Sequence, residues 1–442
     1  MDYKTKLQSF EQLHPTEIAH ELKKIKKEDE ALFYKLLSEI SEDILGEVLL
    51  ELPENIRDDG YKALSIEKLT DALDELETDD ATDIIKDIEE FDKKKADDIL
   101  DGLDQEDQED INWLKKYEDD QAGAFMQTEL FWANINDTVQ NAIDNLKKLK
   151  QEGELENIHQ IFIVDDDNTL LASIALEDLI VYDFNMVFKE ILEQSPNEYK
   201  PISAQADDDI MEVVKLFEDY DLSVVAITGY KNRLIGRITS DDILDVVGQT
   251  ATEQMYQLAG VQDEYEHEDD LITTSKKRGY WLFINLFTAV LASFVIGLFD
   301  DTLKQYIALA ILMPIVASMG GNAGTQTLAV MVRQLALGDI DDSNQKDAVK
   351  KEIFISIFNG LLFAVVLGIL TSLWFSNMML GVVISLSMII TLFCAGFFGS
   401  LIPLMLKRFD IDPAVGSSVV LTTVTDIVGF FSFLGLAKVI LA

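Results

Sequence analysis

The sequence predicts a multidomain membrane protein with an all-α domain of helical repeats, a tandem pair of α/β units and an all-α domain of five transmembrane helices. The first observation is that long apolar runs occur only after residue 278. The second is the charge distribution: residues 279–442 contain 10 acidic and 8 basic side chains, whereas residues 1–278 carry 42 of the 44 net negative charges. The third is length, because 442 residues exceed what one core usually accommodates.

Residues 1–128 predict an acidic domain of helical repeats. Similar segments beginning at Ala81, Ala96 and Gln108 each follow an acidic turn, as in a small helical solenoid. Such units bury apolar stripes against one another and turn Asp and Glu side chains outward. An acidic surface of this kind repels nucleic acid and attracts cations, although a solvated surface without a specific ligand is the commoner meaning of acidity. No nucleic-acid partner is expected.

The region from 129 to 248 predicts two copies of one α/β unit. The segment HQIFIVDDDNTLLASIALEDLI at 159–180 has the pattern strand, turn, strand, helix, and SVVAITGYKNRLIGRITSDDIL at 223–244 repeats it. We expect the first unit at 129–190 and the second at 191–248. Residues 249–275 then predict a connecting helix and an acidic linker, so any signal from the soluble part to the membrane part passes through them.

A membrane domain is predicted at 276–442. Five apolar segments each have enough residues to cross about 30 Å of hydrocarbon, and they lie at roughly 279–299, 305–332, 353–376, 378–406 and 414–441. Lysine and arginine concentrate at one set of segment ends, which the positive-inside rule places in the cytosol together with the N-terminal region. An odd number of spans puts the C-terminus outside. We expect no cleavable signal peptide and, with Cys394 as the single cysteine, no disulfide within the chain.

The last apolar segment contains a carboxylate, Asp426, and by these boundaries no other span has an acidic residue in its interior. A carboxylate at membrane depth is costly unless it faces water, a partner or a cation, so Asp426 is a candidate pore residue. The alternative is an Asp that is hydrogen-bonded to the hydroxyls of Thr422, Thr423 and Thr425. A two-fold axis would bring two Asp426 side chains together, and a divalent cation between them would offset their repulsion. Because Mg²⁺ surrenders its waters reluctantly, we expect a hydrated ion.

A polar, glycine-rich segment, MGGNAGTQTLAV, lies at 319–330 within the second apolar segment. Glycines allow close helix approach and expose backbone carbonyls, while amide and hydroxyl side chains offer neutral oxygens to the waters around an ion. Packing of small residues between helices is the alternative explanation of the glycines, and both can hold. The residues that we predict to line a pore are Gly321, Asn322, Thr325, Gln326, Ser418 and Thr422.

Three motifs carry a family resemblance: YEDDQAGAFMQTEL at 117–130, MPIVASMGGNAGTQT at 313–327 and DPAVGSSVVLTTVTDIVGF at 412–430. With these motifs in this order, the whole arrangement resembles the MgtE family of magnesium channels, which have an N domain, two cystathionine-beta-synthase (CBS) domains, a plug helix and a five-helix pore domain. The resemblance implies a homodimer in a bacterial cytoplasmic membrane that imports Mg²⁺ down its electrochemical gradient. In this resemblance Asp426 matches the pore aspartate of the family. Ser418 stands where Asn or Gly is expected, which leaves the ion preference open.

The resemblance also implies that cytosolic Mg²⁺ closes the channel. Cations between facing carboxylates would stabilise a compact arrangement, and repulsion would separate it when cations are scarce. The positions that match the sensor of the family are Asp79 and Asp83 in the N domain, Asp209 and Asp221 in the second CBS unit, and Asp242, Asp245 and Glu253 leading into the connector. Met211, Gln249 and Gln254 replace acidic residues of the family, so we expect weaker or less cooperative sensing.

Nucleotide binding is disfavoured, although CBS pairs often bind adenosine nucleotides. Residues 236–242 resemble a nucleotide signature and Asp178 matches a nucleotide-contacting aspartate. However, Glu177 stands where an arginine would meet phosphate, and Gln160 and Leu222 replace aromatic residues that would enclose adenine. Because a carboxylate repels a triphosphate, we expect no ATP binding.

Two other functions remain as alternatives. One is transport of another divalent cation such as Mn²⁺ or Co²⁺, which Ser418 suggests. The other is a membrane-anchored CBS signalling protein, although an anchor does not need Asp426 or a glycine-rich polar segment. An enzyme is not expected, because the sequence has no histidine in its spans, no P-loop, no Cys/His metal cluster and no nucleophile elbow.

Overall fold

The computed structural model describes residues 13–152, 158–195, 197–261, 271–337, 343–409 and 411–441, together with residues 6, 7, 10, 155, 339 and 340. The chain forms two compact units, Met1–Val247 and Gly248–Ala442. The first unit contains a helical domain followed by two small sheets with their helices, and the second contains long apolar helices. The predicted fold class is thus confirmed.

The helical domain consists of short helices that pack around one apolar core. Their bounds are α1 (Pro15–Glu28), α2 (Glu30–Glu39), α3 (Glu42–Leu50), α4 (Glu54–Ala63), α5 (Ile66–Leu73), α6 (Thr78–Phe91), α7 (Lys93–Leu100) and α8 (Gln105–Leu114). Several helices begin where an aspartate side chain accepts a hydrogen bond from a free backbone amide, as Asp29, Asp92 and Asp104 do. The apolar stripes are fully buried, for example at Leu45 and Ile84.

The sequence repeat corresponds to two similar α/β units. The first has β1 (Trp132–Asn134), α9 (Val139–Glu152), β2 (Gln160–Val164), β3 (Leu170–Ala175), α10 (Leu176–Leu179) and α11 (Phe188–Gln194). The second has β4 (Ser203–Gln205), α12 (Ile210–Tyr220), β5 (Val224–Thr228), β6 (Leu234–Thr239) and α13 (Ser240–Leu258). Each forms a three-stranded sheet in which the first two strands are parallel and the last two antiparallel.

The two sheets share an apolar cluster that contains Phe162, Val164, Val224 and Leu234. Helix α11 spans the predicted boundary at 190/191, and Phe188 on it belongs to the core of the first sheet. The extent of each apolar core defines where a unit ends. The predicted domain boundaries remain predictions.

The second unit holds the membrane helices. Among the described residues, five helices are long and apolar enough to cross a membrane. Their helical bounds are α14 (Leu271–Gly297), α16 (Ile307–Ala336), α17 (Gln345–Phe375), α18 (Met378–Arg408) and α19 (Ser417–Ile440), with the short α15 (Asp300–Gln305) after α14. Helix α18 packs against α16, α17 and α19 and thereby organises the bundle. Helix α17 begins earlier than the predicted 353, because the helix-favouring residues before the apolar run continue it.

Candidate functional site

Carboxylates from three parts of the first unit meet where α6 and α13 begin. Helix α6 starts at Thr78, and its first turn contains Asp79 and Asp80. Helix α13 starts directly after the buried strand β6, and its first turn contains Asp241 and Asp242. Helix α3 and the segment after Gln127 add further acids that act electrostatically on the same groups. We call this cluster the acidic interface, and its members are Glu47, Glu51, Glu77, Asp79, Asp80, Glu129, Asp241, Asp242 and Asp245.

The acidic interface is held by side-chain hydrogen bonds between the helical domain and the second α/β unit. Gln127 donates to Glu77 Oε2 at 2.9 Å and to Asp242 Oδ2 at 3.3 Å. The Thr239 hydroxyl donates to the same Asp242 oxygen at 2.7 Å. The amide of Thr78 donates to Glu129 Oε1 at 3.1 Å. These contacts fix which carboxylates face one another across the interface.

Burial makes the negative charge of this cluster costly. Desolvation raises the pKa of Glu77 to about 8, and repulsion from Glu129 and Asp242 adds to it while Arg237 opposes it. Desolvation and repulsion from Asp242 raise the pKa of Asp80 to about 7. The pKa of Asp242 rises to about 6, again chiefly through desolvation. Asp79 is only 7% exposed, and burial holds its pKa well above the ordinary value. The interface therefore favours a bound proton or cation.

Two buried acceptor atoms in the acidic interface make no hydrogen bond within the described part of the chain: Gln127 Oε1 and Glu129 Oε2. Buried acceptors normally have a partner, so these oxygens are positions where a water, proton or cation would be stabilised. No group of three His, Cys, Asp or Glu side chains is arranged to hold a metal ion directly among the residues that the structure describes.

The structure brings together only some of the predicted sensor residues. Asp79, Asp242 and Asp245 belong to the acidic interface. Asp83 lies on α6, but 59% of its side chain is exposed and it is 3.9 Å from Lys86. The three others lie at exposed positions elsewhere: Asp209 caps α12, Asp221 ends α12 in the left-handed conformation, and Glu253 accepts a hydrogen bond from Gln257.

The membrane unit carries polar side chains on adjoining faces of α16 and α19. Asn322, Thr325 and Gln326 are exposed on α16, and Thr422 is exposed on α19. Gly321 joins the two faces, since a Cβ there would lie 3.7 Å from Thr422 Cγ2. We call this surface the polar membrane face, and its members are Ser318, Gly321, Asn322, Thr325, Gln326, Ser418, Thr422 and Asp426.

Asp426 lies on the same side of α19 as Ser418 and Thr422, at helical spacings of four residues. The neighbouring hydroxyls do not bind its carboxylate. Thr422 donates to the Ser418 carbonyl, Thr423 to the Val419 carbonyl at 2.7 Å and Thr425 to the Thr422 carbonyl at 3.0 Å. The alternative in which these threonines hold Asp426 is therefore wrong, and within the described residues no side chain donates to or pairs with its half-buried carboxylate.

Comparisons with known proteins match the helical domain, both α/β units and most of the membrane helices. Family models match residues 13–120 (MgtE intracellular N domain), 122–185 and 196–249 (CBS domain), and 313–436 (MgtE, divalent cation transporter). The magnesium transporter MgtE of Enterococcus faecalis is 34% identical over 329 residues, which cover 74% of this chain and 71% of that protein. The chain belongs to the MgtE family. The MgtE of Bacillus subtilis is 27% identical over 426 residues, covering 92% of this chain and 93% of that one.

A solved structure supports MgtE membership at the level of the fold. The cytosolic domain of a Mg²⁺ channel MgtE, crystallised in complex with ATP, superposes with a TM-score of 0.50 at 28% identity. The alignment covers 55% of this chain and 95% of that one. The sequence-based assignment to the family is confirmed.

In this MgtE chain the described part of the predicted connector begins within helix α13. This helix carries Asp242 and Asp245 near its beginning. Its last residue, Leu258, packs in the second unit against an apolar cluster that contains Leu328 of α16, Ile402 of α18 and Leu421 of α19.

Sequence reasoning missed a second buried acid in the MgtE membrane domain. Glu352 lies within α17, is 9% exposed, and accepts a hydrogen bond from Thr327 Oγ1 at 3.1 Å. Asp426 is thus not the only acid inside a membrane helix, because the apolar run begins just after Glu352 while the helix begins at Gln345. Extending each apolar run by its flanking helix formers would have found it.

Several members of the acidic interface were also missed. Asp80 adjoins the predicted Asp79, and Asp241 adjoins Asp242, so neighbouring positions alone could have suggested them. Glu77 and Arg237 gave no sequence signal, because 160 residues separate these ionic partners. Only the packing of the helical domain on the second α/β unit brings them together.

Proposed function

We propose that this protein is a Mg²⁺-selective channel that imports magnesium down its electrochemical gradient and that cytosolic Mg²⁺ closes. The observation that carries the proposal is the polar membrane face, with Asp426 as a carboxylate lacking a donor among the described residues. Polar and ionisable side chains at membrane depth normally face a partner or a water-filled path. The name "magnesium transporter" of the relatives supports Mg²⁺ as the transported ion.

A homodimer gives the polar membrane face its partner. Within one chain, Asn322, Thr325 and Thr422 are exposed on apolar membrane helices, which is unfavourable against lipid. A second copy about a two-fold axis would pair the two faces and bring both Asp426 carboxylates to one aqueous path. A hydrated Mg²⁺ there would be bound through its waters, which donate hydrogen bonds to side-chain and backbone oxygens. The neutral oxygens around Asp426 suit this mode of binding.

The acidic interface is proposed as the sensor. Bound Mg²⁺ would offset repulsion among Asp79, Asp242 and Asp245, and the unpartnered oxygens of Gln127 and Glu129 support an ion or its waters at this place. Because no three acidic side chains among the described residues are arranged to hold a metal ion directly, a hydrated ion suits the interface better than a stripped one. Further ligands rest on family resemblance alone: Asp83, Asp209, Asp221 and Glu253. We propose that α13 transmits docking of the helical domain to α16 and α19.

Membrane orientation and nucleotide binding belong to the same proposal. The basic ends of the spans support a cytosolic N-terminal region and an external C-terminus in a bacterial cytoplasmic membrane. An MgtE cytosolic domain was crystallised with ATP. In this chain the side-chain amide of Gln160 already accepts a hydrogen bond from the Ser173 hydroxyl and donates one to the Val224 carbonyl. The absence of ATP binding stays a prediction, which isothermal titration of the purified protein with ATP would test.

Mg²⁺ influx into liposomes tests the pore assignment. Purified protein of determined orientation is reconstituted, and a trapped dye follows Mg²⁺ entry for wild type and Asp426→Asn. The variant keeps the side-chain shape and removes the charge, so we expect influx to fall to the protein-free background. Asp347→Asn is the matched control, because Asp347 is an exposed membrane-domain acid 2.9 Å from Lys350. Wild-type rates in Asp426→Asn would refute the pore assignment.

The same liposomes test the alternative cation. Mn²⁺ and Co²⁺ are added in competition with Mg²⁺, and a Mg²⁺ pore is expected to show no preference for these softer ions. Preferential block by Co²⁺ with little Mg²⁺ entry would favour the second transport function that Ser418 suggested.

A further inference from the structure

A buried guanidinium lies inside the acidic interface. Arg237 is on strand β6, and its side chain is 3% exposed. Its Nη2 lies 3.1 Å from Oε1 of Glu77, which is the residue before α6. This ion pair therefore joins the helical domain to the second α/β unit at the place where Glu129, Asp242 and Asp80 also act on Glu77.

The backbone holds Arg237 in this position. Its amide donates to the Gln127 carbonyl at 2.9 Å, and the Gln127 amide donates back to the Arg237 carbonyl at 2.8 Å. The Gln127 side chain binds the same glutamate that pairs with Arg237 and also Asp242. At Gly236, a Cβ would lie 2.8 Å from Met126 Sδ, so strand and segment are in close contact. Arg237 cannot leave the interface without breaking this pairing.

The charge of Arg237 is fixed, because a guanidinium stays protonated at every physiological pH. It therefore offsets one carboxylate of the acidic interface whether or not a metal ion is bound. Buried carboxylates without compensation oppose docking, and each cation at the interface reduces that opposition. A resident positive charge takes the place of part of the Mg²⁺ that docking would otherwise require.

We propose that Arg237 is a built-in counter-ion that sets the Mg²⁺ requirement of the sensor by docking the helical domain on the second CBS unit. This inference rests on the proposed Mg²⁺-dependent closure. Arg237 neutralises part of the sensor before any Mg²⁺ binds, so closure needs less Mg²⁺ than the number of carboxylates suggests.

Limited proteolysis of the full-length protein in detergent tests the inference. Cleavage in the junction at 117–130 is followed while Mg²⁺ is varied, since docking buries much of this segment. The Mg²⁺ concentration for half-protection is expected to rise about fivefold or more in Arg237→Met. In Arg237→Lys, which keeps the charge, it is expected to rise less.

Arg233→Met is the matched control, because Arg233 is an exposed arginine directly before strand β6, four residues before Arg237, and its loss changes the net charge equally. We expect little change in this variant. In the double variant Glu77→Gln/Arg237→Met both charges of the pair are removed, and half-protection is expected to return toward the wild-type Mg²⁺ concentration. Thermal unfolding of each variant without Mg²⁺ identifies any that fail to fold.

Three outcomes overturn the inference. Equal shifts in Arg237→Met and Arg233→Met would mean that only long-range charge matters. Failure of the double variant to recover, although it is folded, would mean that Arg237 acts by packing. Wild-type protein whose protection does not depend on Mg²⁺ would refute the proposed closure itself, and the inference with it, so the two failures are distinguishable.

Discussion

The acidic interface and the polar membrane face solve opposite electrostatic problems. The interface concentrates nine carboxylates, several of them buried, around Arg237, which pairs with Glu77. The membrane face has one carboxylate, Asp426, among neutral oxygens. Under the proposed function, many opposed charges would make docking depend steeply on cations, whereas one charge among neutral groups would bind a hydrated cation weakly enough to release it. Removing a charge from the acidic interface is therefore expected to change closure, whereas removing the charge of the polar membrane face is expected to change conduction.

The largest effect that separates the two regions is expected for Asp242→Asn/Asp245→Asn. Removing two charges from the proposed Mg²⁺ site weakens cation binding, so the channel should stay open to cytosolic Mg²⁺ concentrations about fivefold to a hundredfold higher. Dye-monitored influx into liposomes, with Mg²⁺ varied on the cytosolic face, measures the shift. Conduction at low Mg²⁺ should stay at the wild-type rate.

Asp166→Asn/Asp167→Asn is the control for this double variant. Both residues are exposed in the turn between β2 and β3, away from the acidic interface, and the change in net charge is the same. An equal shift in the control would break the comparison, because total charge rather than the acidic interface would then govern closure.

A pair of glycine variants separates packing from pore lining on α16. At Gly320 a Cβ would lie 2.6 Å from Thr391 Cγ2, whereas at Gly321 it would lie 3.7 Å from Thr422 Cγ2, which is an ordinary contact. Gly320→Ala should therefore destabilise the membrane domain by about 1–3 kcal/mol, and Gly321→Ala should leave stability unchanged. Thermal unfolding in detergent measures both. Equal destabilisation would show that both glycines serve packing.

Glu352 tests whether a buried acid of the membrane domain acts by charge or by hydrogen bonding. Glu352→Ala removes the acceptor of Thr327 and should destabilise the domain by about 1.5–3 kcal/mol. Glu352→Gln keeps an acceptor oxygen and should retain most of the stability and influx. If the Gln variant unfolds normally yet conducts no Mg²⁺, Glu352 has a charge requirement like that of Asp426.

Docking without Mg²⁺ is expected to depend on pH. The pKa of Glu77 is about 8, of Asp80 about 7 and of Asp242 about 6 in the docked unit, above the ordinary carboxylate range of about 4. The docked state therefore binds more protons than the undocked state, and this proton binding stabilises docking. The stabilisation of docking is full below about pH 4 and is lost as the pH rises through the raised pKa values. Protection of 117–130 in chelator should therefore increase between pH 8 and 6. Protection that falls on acidification would contradict the assignment.

Local patterns were sufficient for the architecture. The strand, turn, strand, helix repeat at 159–180 and 223–244 was found because alternation and turn residues act over a few positions. The length of the apolar runs predicted the membrane helices but not the residues at which they begin and end. Glu352 was missed for that reason, because it lies just before the predicted span. Of the predicted sensor residues, Asp79, Asp242 and Asp245 lie in the acidic interface, whereas Asp83 points largely to solvent.

By itself the sequence determined that this is a membrane protein with an acidic N-terminal region, an α/β repeat, and a polar segment and Asp426 in its membrane helices. These features depend on composition and on spacing along one element. Tertiary structure alone decided which carboxylates oppose one another and that Arg237 pairs with Glu77. It also decided that the threonine hydroxyls bind backbone carbonyls rather than Asp426, and that Leu258 packs on an apolar cluster of the membrane unit. Those contacts join residues far apart in the chain, where packing rather than local propensity selects the partners.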